Sequence, residues 1–257
     1  MAKTVEQILS KLDRPPASHN FALCNFQRRA RTTSALVNLA LGFPTVSYQW
    51  SLKVISITLA DKLSDENAIK LLHRICRVDQ YEDNLEFLKA FLAYNAVRQF
   101  EGIEVFPEFC GHFNVGPDVS VPVKPTSILR ENGKLKPLFI IPWATNSLNL
   151  YQRQLLSSIY DDAIYSLTDM RESEGEVLIF PKDGYGIRRP DKWNRNTYEV
   201  LSRRQLEEQV ERFVYARQDA RPLIREKFMK RQEALVAKKA AQHTARDHGG
   251  TFYDGDK

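Results

Sequence analysis

Apolar residues recur at helical spacing through the first hundred residues of the chain. They do so in the ranges 4–12, 35–41, 64–76 and 85–100. Ser64 opens the third of these ranges and is a typical N-cap residue, and carboxylates follow it in the first turn, where the helix dipole favours them. The range 48–59 is rich in β-branched residues and fits a strand, with a helix nearly as well supported. The pattern therefore predicts a helical N-terminal region.

Shorter apolar runs replace the helical spacing in the range 101–143. These runs are 103–109, 119–123 and 138–141. Asn132-Gly133 is a strong hairpin signal, because both central residues of its turn need a positive φ. Pro122 and Pro137 favour strand ends, edges or bulges, because proline cannot donate to a ladder. We predict a β-meander over this range.

Helical and strand patterns alternate in the rest of the chain. The ranges 148–167 and 176–181 predict a long helix and a strand, 197–201 offers a further strand, and Ser202 begins another helix with a capping box to Gln205. The expected fold class is α/β (α+β), a small mixed β-sheet meander flanked by helices. We divide it into a helical N-terminal region at 1–80, an α/β core at 81–220, and a basic helix with a disordered tail at 221–257.

The composition is that of an ordinary soluble protein. The 257 residues are 43% hydrophobic and 27% charged, and the start of the chain carries no signal-peptide pattern. The three cysteines have no metal-binding or disulfide spacing, so we expect a cytoplasmic protein with no membrane partner. The net charge is +5, but 221–257 alone carries nine Lys or Arg against five Asp or Glu. Attraction to phosphates must then come from local patches or from this tail, and the basic helix could also meet a protein partner.

The order of these elements suggests a family. A helix is followed by strands that carry Pro117-Asp118, by the Asn132-Gly133 turn, by an apolar strand and by a long helix with Gln152 and Tyr160. This arrangement, from about residue 83 to 180, resembles the restriction-endonuclease-like or PD-(D/E)XK superfamily. The resemblance implies a restriction-endonuclease-like core and a Mg²⁺ site for phosphodiester hydrolysis, with Gln152 and Tyr160 facing it. An ordinary surface or boundary position is the alternative for these two residues.

The family's metal ligands are incomplete in this chain. Asp118 matches the first acid, but Ile141 and Trp143 stand where the next strand should carry an acid and a lysine. An isoleucine cannot ligate Mg²⁺, and one carboxylate rarely suffices for a catalytic metal site. The resemblance therefore implies a degenerate site, and a turn aspartate is an equally good interpretation of Asp118.

Other side chains could restore the metal site. Glu108 on the preceding strand could join Asp118 as a metal ligand, with a solvated strand residue as the alternative interpretation. Glu86 or Glu82 could supply the acid that family members often place on the first helix. Lys124 could replace the missing lysine. With these groups the chain would be an active Mg²⁺-dependent nuclease.

The loop 182–196 combines positive charge with aromatic rings. That mixture neutralises phosphates and stacks on bases. A solvated loop anchored in the core by Trp193 is the alternative. The candidate nucleic-acid-binding residues are Lys182, Arg188, Arg189, Lys192, Trp193 and Arg195, with Tyr185 among them.

Three functions remain open from the sequence. The first is a nucleic-acid-binding protein, with DNA as the expected ligand, whose restriction-endonuclease-like metal site is degenerate. The second is the active nuclease that uses Asp118 with Glu108 or Glu86. The third is a protein-interaction or assembly subunit that binds no nucleic acid.

Overall fold

The chain folds as an α+β protein in which a mixed sheet lies between two layers of helices. A computed structural model describes residues 4–14, 16–42, 46–98, 102–104, 110–115, 119–145 and 148–247. The helices are α1 Val5–Leu9, α2 Ser18–Cys24, α3 Arg29–Leu41, α4 Gln49–Asp61, α5 Asp65–Ile75, α6 Tyr81–Asn95, α7 Leu150–Tyr160 and α8 Arg203–Asp247. The strands are β1 Gly102–Glu104, β2 Gly111–Asn114, β3 Ser120–Val123, β4 Ser127–Glu131, β5 Lys134–Ile141, β6 Glu176–Ile179 and β7 Asp191–Asn194.

The main sheet has five strands in the order β1-β4-β5-β6-β7. Neighbouring strands are antiparallel except for β5 and β6, which are parallel and are joined through α7. The predicted hairpin joins β4 to β5, and Asn132 and Gly133 have φ angles of 52° and 72°, as its turn requires. The carboxyl ends of β5 and β6 therefore lie side by side.

Alternating side chains of the two central strands enter two separate cores. Phe139 and Ile141 of β5 pack with α1, α2, α3, α7 and α8, whereas Leu138 and Ile140 pack with α4, α5 and α6. Strand β6 divides in the same way, because successive side chains of a strand point to opposite faces. Burial on both faces explains why these strands are written as continuous apolar runs.

The predicted meander is not one sheet. Strands β2 and β3 pair only with each other among the described residues, and this second hairpin separates β1 from its partner β4 in sequence. The residues 105–109, which we predicted as strand, lie outside the described residues. Residues 49–59 of the ambiguous range 48–59 are helical. No strand forms at 197–201, and β7 lies instead at Asp191–Asn194, within the predicted loop 182–196.

The last helix passes through the predicted boundary at residue 221. It runs continuously from Arg203 to Asp247, although Pro222 inside it cannot donate a main-chain hydrogen bond. Phe213, Ala216 and Ile224 on both sides of that boundary are buried in the same core. Among the described residues, no helix is both long enough and apolar enough to cross a membrane.

Candidate nucleic-acid interface at the carboxyl edge

The carboxyl ends of β5 and β6, together with residues 142–144 and 180–182, form what we call the carboxyl edge. In open, mostly parallel α/β sheets ligands usually bind outside the carboxyl ends of the strands, and β5 and β6 are the parallel pair of this sheet. Ile141, Pro142 and Phe180 are all buried at this edge. Ile141 and Trp143, which stand where the resemblance would require an acid and a lysine, supply neither group here.

Four side chains from distant parts of the chain meet at this edge, and we call them the edge cluster: Tyr48, Glu86, Lys182 and Arg188. Glu86 on α6 lies 2.7 Å from the Nζ atom of Lys182 and 3.3 Å from the Nε atom of Arg188. The Tyr48 hydroxyl accepts a hydrogen bond of 2.7 Å from the Arg188 guanidinium. The fold thus brings together one predicted catalytic acid and two predicted phosphate-binding cations.

Arg188 is buried and bonds the ends of the strands. Its Nη1 atom donates to the carbonyl oxygens of Phe180 at 2.9 Å, Pro142 at 3.3 Å and Trp143 at 3.4 Å. The ring of Tyr48 also lies 5.2 Å from the guanidinium carbon, within reach of a cation–π interaction. Arg188 therefore anchors the loop to the sheet. Because it is buried in this conformation, it adds positive charge to the edge cluster without offering its guanidinium directly to a phosphate.

The loop beyond Lys182 is a closed turn with an aromatic tip. Lys182 forms a β-bridge with Arg188, and the Oδ1 atom of Asp183 accepts from the main-chain amides of Tyr185 at 2.9 Å and Ile187 at 3.0 Å. Tyr185 is 91% exposed. A hydrogen bond from Arg189 and two main-chain amides hold the pKa of the Asp183 carboxyl below its usual value. This pre-formed turn presents Tyr185 to solvent.

The remaining predicted binding residues differ in exposure. Trp193 is buried, with the Arg153 guanidinium 4.8 Å from its ring, so the core-anchor alternative describes it and its ring is not open to a base. Arg195 is partly buried and pairs with Asp161 at 2.7 Å. Lys192 is exposed on β7. Arg188 and Trp193 are thus buried, whereas Lys182, Arg189 and Lys192 stay at the surface.

The predicted metal site is not assembled by the described residues. Asp118 and Glu108 lie outside them, and Lys124 is exposed just beyond β3. No three His, Cys, Asp or Glu side chains of the described residues form a group that could hold a metal ion. Glu86 is already neutralised by two cations, which makes it a poor Mg²⁺ ligand.

Two positions near the edge were not predicted from the sequence. Tyr48 belongs to a segment that the sequence left ambiguous, and no local pattern links it to a loop 140 residues away. His19 packs on Trp143 with ring centroids 5.4 Å apart, and burial lowers the pKa of its imidazole to about 4. A neutral histidine therefore covers one side of the edge at neutral pH.

Gln152 and Tyr160, the two polar residues of the long helix α7, are buried, so neither is a surface residue at the carboxyl edge. Gln152 is 1% exposed and Tyr160 is 3% exposed. Gln152 donates to the carbonyl oxygen of Leu23 at 2.7 Å, and Tyr160 stacks on Phe139 at a centroid distance of 3.9 Å. Both residues join helix layers to the core, which neither prediction for them anticipated.

No family model matches the chain, and no curated protein or solved structure shows significant similarity to it.

Proposed function

We propose that this protein binds nucleic acid, with DNA as the expected ligand, through the carboxyl edge of a restriction-endonuclease-like core whose metal site is degenerate. The order of elements supports the core: α6 and β1 precede the β4–β5 hairpin, and α7 and β6 follow it. This order matches the helix, apolar strand, long helix and strand of the family resemblance. Pro117-Asp118, the other part of that resemblance, falls in sequence between β2 and β3, which pair with each other and not with the main sheet among the described residues.

The observation that carries the proposal is the charge imbalance in the edge cluster. Glu86 is one carboxylate against the cations of Lys182 and Arg188. Lys182 keeps about a third of its side-chain surface exposed, and Lys192 adds a further exposed cation from the strand next to β6. A surplus of positive charge at the usual ligand-binding end of a sheet favours phosphate groups.

The same cluster argues against hydrolysis. A metal-dependent nuclease needs several oxygen ligands and a group that activates water. At the described part of the edge, buried apolar side chains and a neutralised glutamate occupy the positions near the strand ends. The active-nuclease alternative thus depends on Asp118 and Glu108.

Salt-dependent binding tests the proposal. The full chain is titrated against fluorescent DNA of about 16 nucleotides, single-stranded and duplex, between about 50 and 200 mM salt. We expect Lys182→Glu and Lys192→Glu each to weaken binding on the order of tenfold and to reduce the salt slope by about 1. Arg74→Glu, at an exposed arginine in the last turn of α5, is the matched control and should bind as the native chain does.

Three outcomes would contradict this proposal. No binding by the native chain at the lowest salt would favour the assembly-subunit alternative. Cleavage of the DNA with Mg²⁺ or Mn²⁺ that Asp118→Ala abolishes would show an active nuclease instead. Reversals at Lys182 and Lys192 that leave binding unchanged would move the interface away from the carboxyl edge.

A further inference from the structure

A cleft with a volume of about 500 Å³ lies where the α2–α3 connection meets the start of α7. We call it the α2–α3 cleft, and among the residues that line it are Phe26, Arg28, Arg31, Asn149, Tyr151 and Gln154. Its volume is within the range of sites that bind small molecules. Its lining combines two guanidinium groups, two aromatic rings and side-chain amides.

A network of buried amide side chains lies beneath the lining of the α2–α3 cleft. Asn25, Gln152 and Gln209 are each at most 1% exposed. Gln209 donates to the Asn25 side-chain oxygen at 2.7 Å, and the Tyr151 hydroxyl donates to the Gln209 oxygen at 2.6 Å. Gln152 in turn bonds the carbonyl oxygen of Leu23. Because these amides join α2, α7 and α8, the walls of the cleft are held in place before a ligand arrives.

The two arginines of the cleft differ from their neighbours. Arg29 makes a two-fold contact with Asp219, with both distances 2.6 Å, and Arg212 bonds Gln209 and Tyr151. By contrast, no contact within the described part of the chain pairs the exposed side chains of Arg28 or Arg31 with an acid. Helix α3 also begins here without a side-chain cap, so the positive end of its dipole adds to the same potential.

We propose that the α2–α3 cleft binds a backbone phosphate of a single nucleic-acid strand. Arg28 and Arg31 would contact the phosphate oxygens, and the rings of Phe26 and Tyr151 would pack against the adjoining sugar and base. Guanidinium groups match phosphate geometry, and aromatic rings accept any base. The inference rests on the proposed function and deepens it, because it adds a second contact point to the carboxyl edge.

The position of the α2–α3 cleft is compatible with one nucleic-acid strand that runs from the carboxyl edge to the cleft. Helix α7 follows β5, so its first turn lies on the side of the molecule where β5 ends. Helix α2, which leads into the cleft, carries His19 against Trp143 at the carboxyl edge. A strand bound at the edge cluster could therefore continue towards Arg28.

The test compares arginine variants of the full chain with the native protein. Binding of a single-stranded DNA of about 16 nucleotides is measured by fluorescence anisotropy for Arg28→Gln, Arg31→Gln, the double variant and the control Arg74→Gln. We expect the salt slope to fall by about 0.7 for each arginine removed from the cleft and to stay unchanged in the control. Arg28→Lys with Arg31→Lys should restore most of the binding, because it restores the charge.

The outcomes separate the cleft from the general function. If the native chain binds and the double variant binds equally well, the proposed role of the cleft is wrong, but the proposed role of the carboxyl edge is unaffected. If the native chain does not bind at all, the proposed function itself is wrong. Inorganic phosphate and a mononucleotide are titrated separately. If either saturated the cleft as tightly as the oligonucleotide does, in a manner that the double variant abolished, the ligand would be a free phosphate and the strand assignment would be wrong. Equal thermal midpoints of all variants show that the fold is intact.

Discussion

The two ends of the central strands each carry a charge cluster, and the two clusters are built differently. At the amino end of β6, Arg98, Glu131, Lys136 and Glu176 form a network of two acids and two bases, all largely buried. At the carboxyl end, the edge cluster sets one acid against two bases and remains partly open. A balanced, enclosed network has no charge left for a ligand, whereas an unbalanced, open one does. The difference favours a stabilising role for the amino end of the sheet, and it leaves the carboxyl end as the site of the proposed binding.

Tyr94 shows how closed the amino-end network is. Its hydroxyl donates to Glu176 at 3.0 Å, and burial, together with the negative charge of Glu176, raises the pKa of the phenol above its usual range. Arg98 makes a two-fold contact with the same carboxylate, at 2.9 and 3.0 Å. Within the described residues, the partners of Glu176 therefore come from α6, from Arg98 just after it, and from Lys136 of β5. The network therefore fastens α6 to the sheet.

The largest expected effect is the loss of Glu176. Glu176→Gln would leave Arg98 and Lys136 buried with one acid between them, and breaking a buried pair in this way costs about 3–5 kcal/mol. Urea unfolding followed by circular dichroism measures the change in the free energy of unfolding. The exposed Glu174→Gln, two residues earlier, is the control and should change it little. An equally small loss for Glu176→Gln would mean that the network does not stabilise the fold.

The second effect concerns Glu86, whose loss should lower stability but strengthen binding. Glu86→Gln leaves the buried Arg188 without its carboxylate, and we expect the free energy of unfolding to fall by about 1–3 kcal/mol. The same change releases Lys182, so binding to single-stranded DNA should become tighter and more salt-dependent. Glu82→Gln on the same helix is the matched control. Weaker binding by Glu86→Gln, with the fold intact, would indicate that Glu86 contacts the ligand through a metal ion.

A third effect appears only in acid. Burial alone would raise the pKa of the Glu131 carboxyl, but hydrogen bonds from Arg98 and Lys136 outweigh it and leave that pKa below its ordinary value of 4.5. A lowered pKa in the folded state gives stability that is present above the unfolded-state pKa and is lost as the pH falls through the folded-state value. In the native chain, the urea concentration at the unfolding midpoint should therefore decrease as the pH falls below 4.5. This decrease should be smaller in Glu131→Gln. An equal decrease in the two proteins would contradict the assignment of this stability to Glu131.

Local patterns in the sequence predicted the parts of the fold that depend on neighbouring residues. The helix that Ser64 caps begins at Asp65, and Ser202 bonds Gln205 as the capping box requires. The Asn132-Gly133 turn is also confirmed, because its geometry follows from two adjacent residues. Local capping and turn signals therefore sufficed for these features.

Pairing between distant segments could not be predicted in this way. Strand β7 has the polar sequence Asp-Lys-Trp-Asn, and it is a strand because β6 offers it an edge. Arg188 looks like a surface cation in sequence, yet three carbonyl oxygens at the strand ends make its burial possible. Of the candidate site, the sequence identified Glu86, Lys182 and Arg188 separately, but only the fold joins them.

The smallest expected effect tests whether an exposed pair behaves like either cluster. Arg189 and Asp183 form an ion pair of 2.8 Å in which the arginine side chain is 69% exposed. Asp183→Asn keeps a side-chain oxygen for the amides of Tyr185 and Ile187 but removes the charge that holds Arg189. The thermal midpoint should change little, because solvent screens a pair whose arginine is largely exposed. Binding to single-stranded DNA should strengthen less than in Glu86→Gln, and a variant that binds more weakly would show that the turn itself, rather than its charge, meets the ligand.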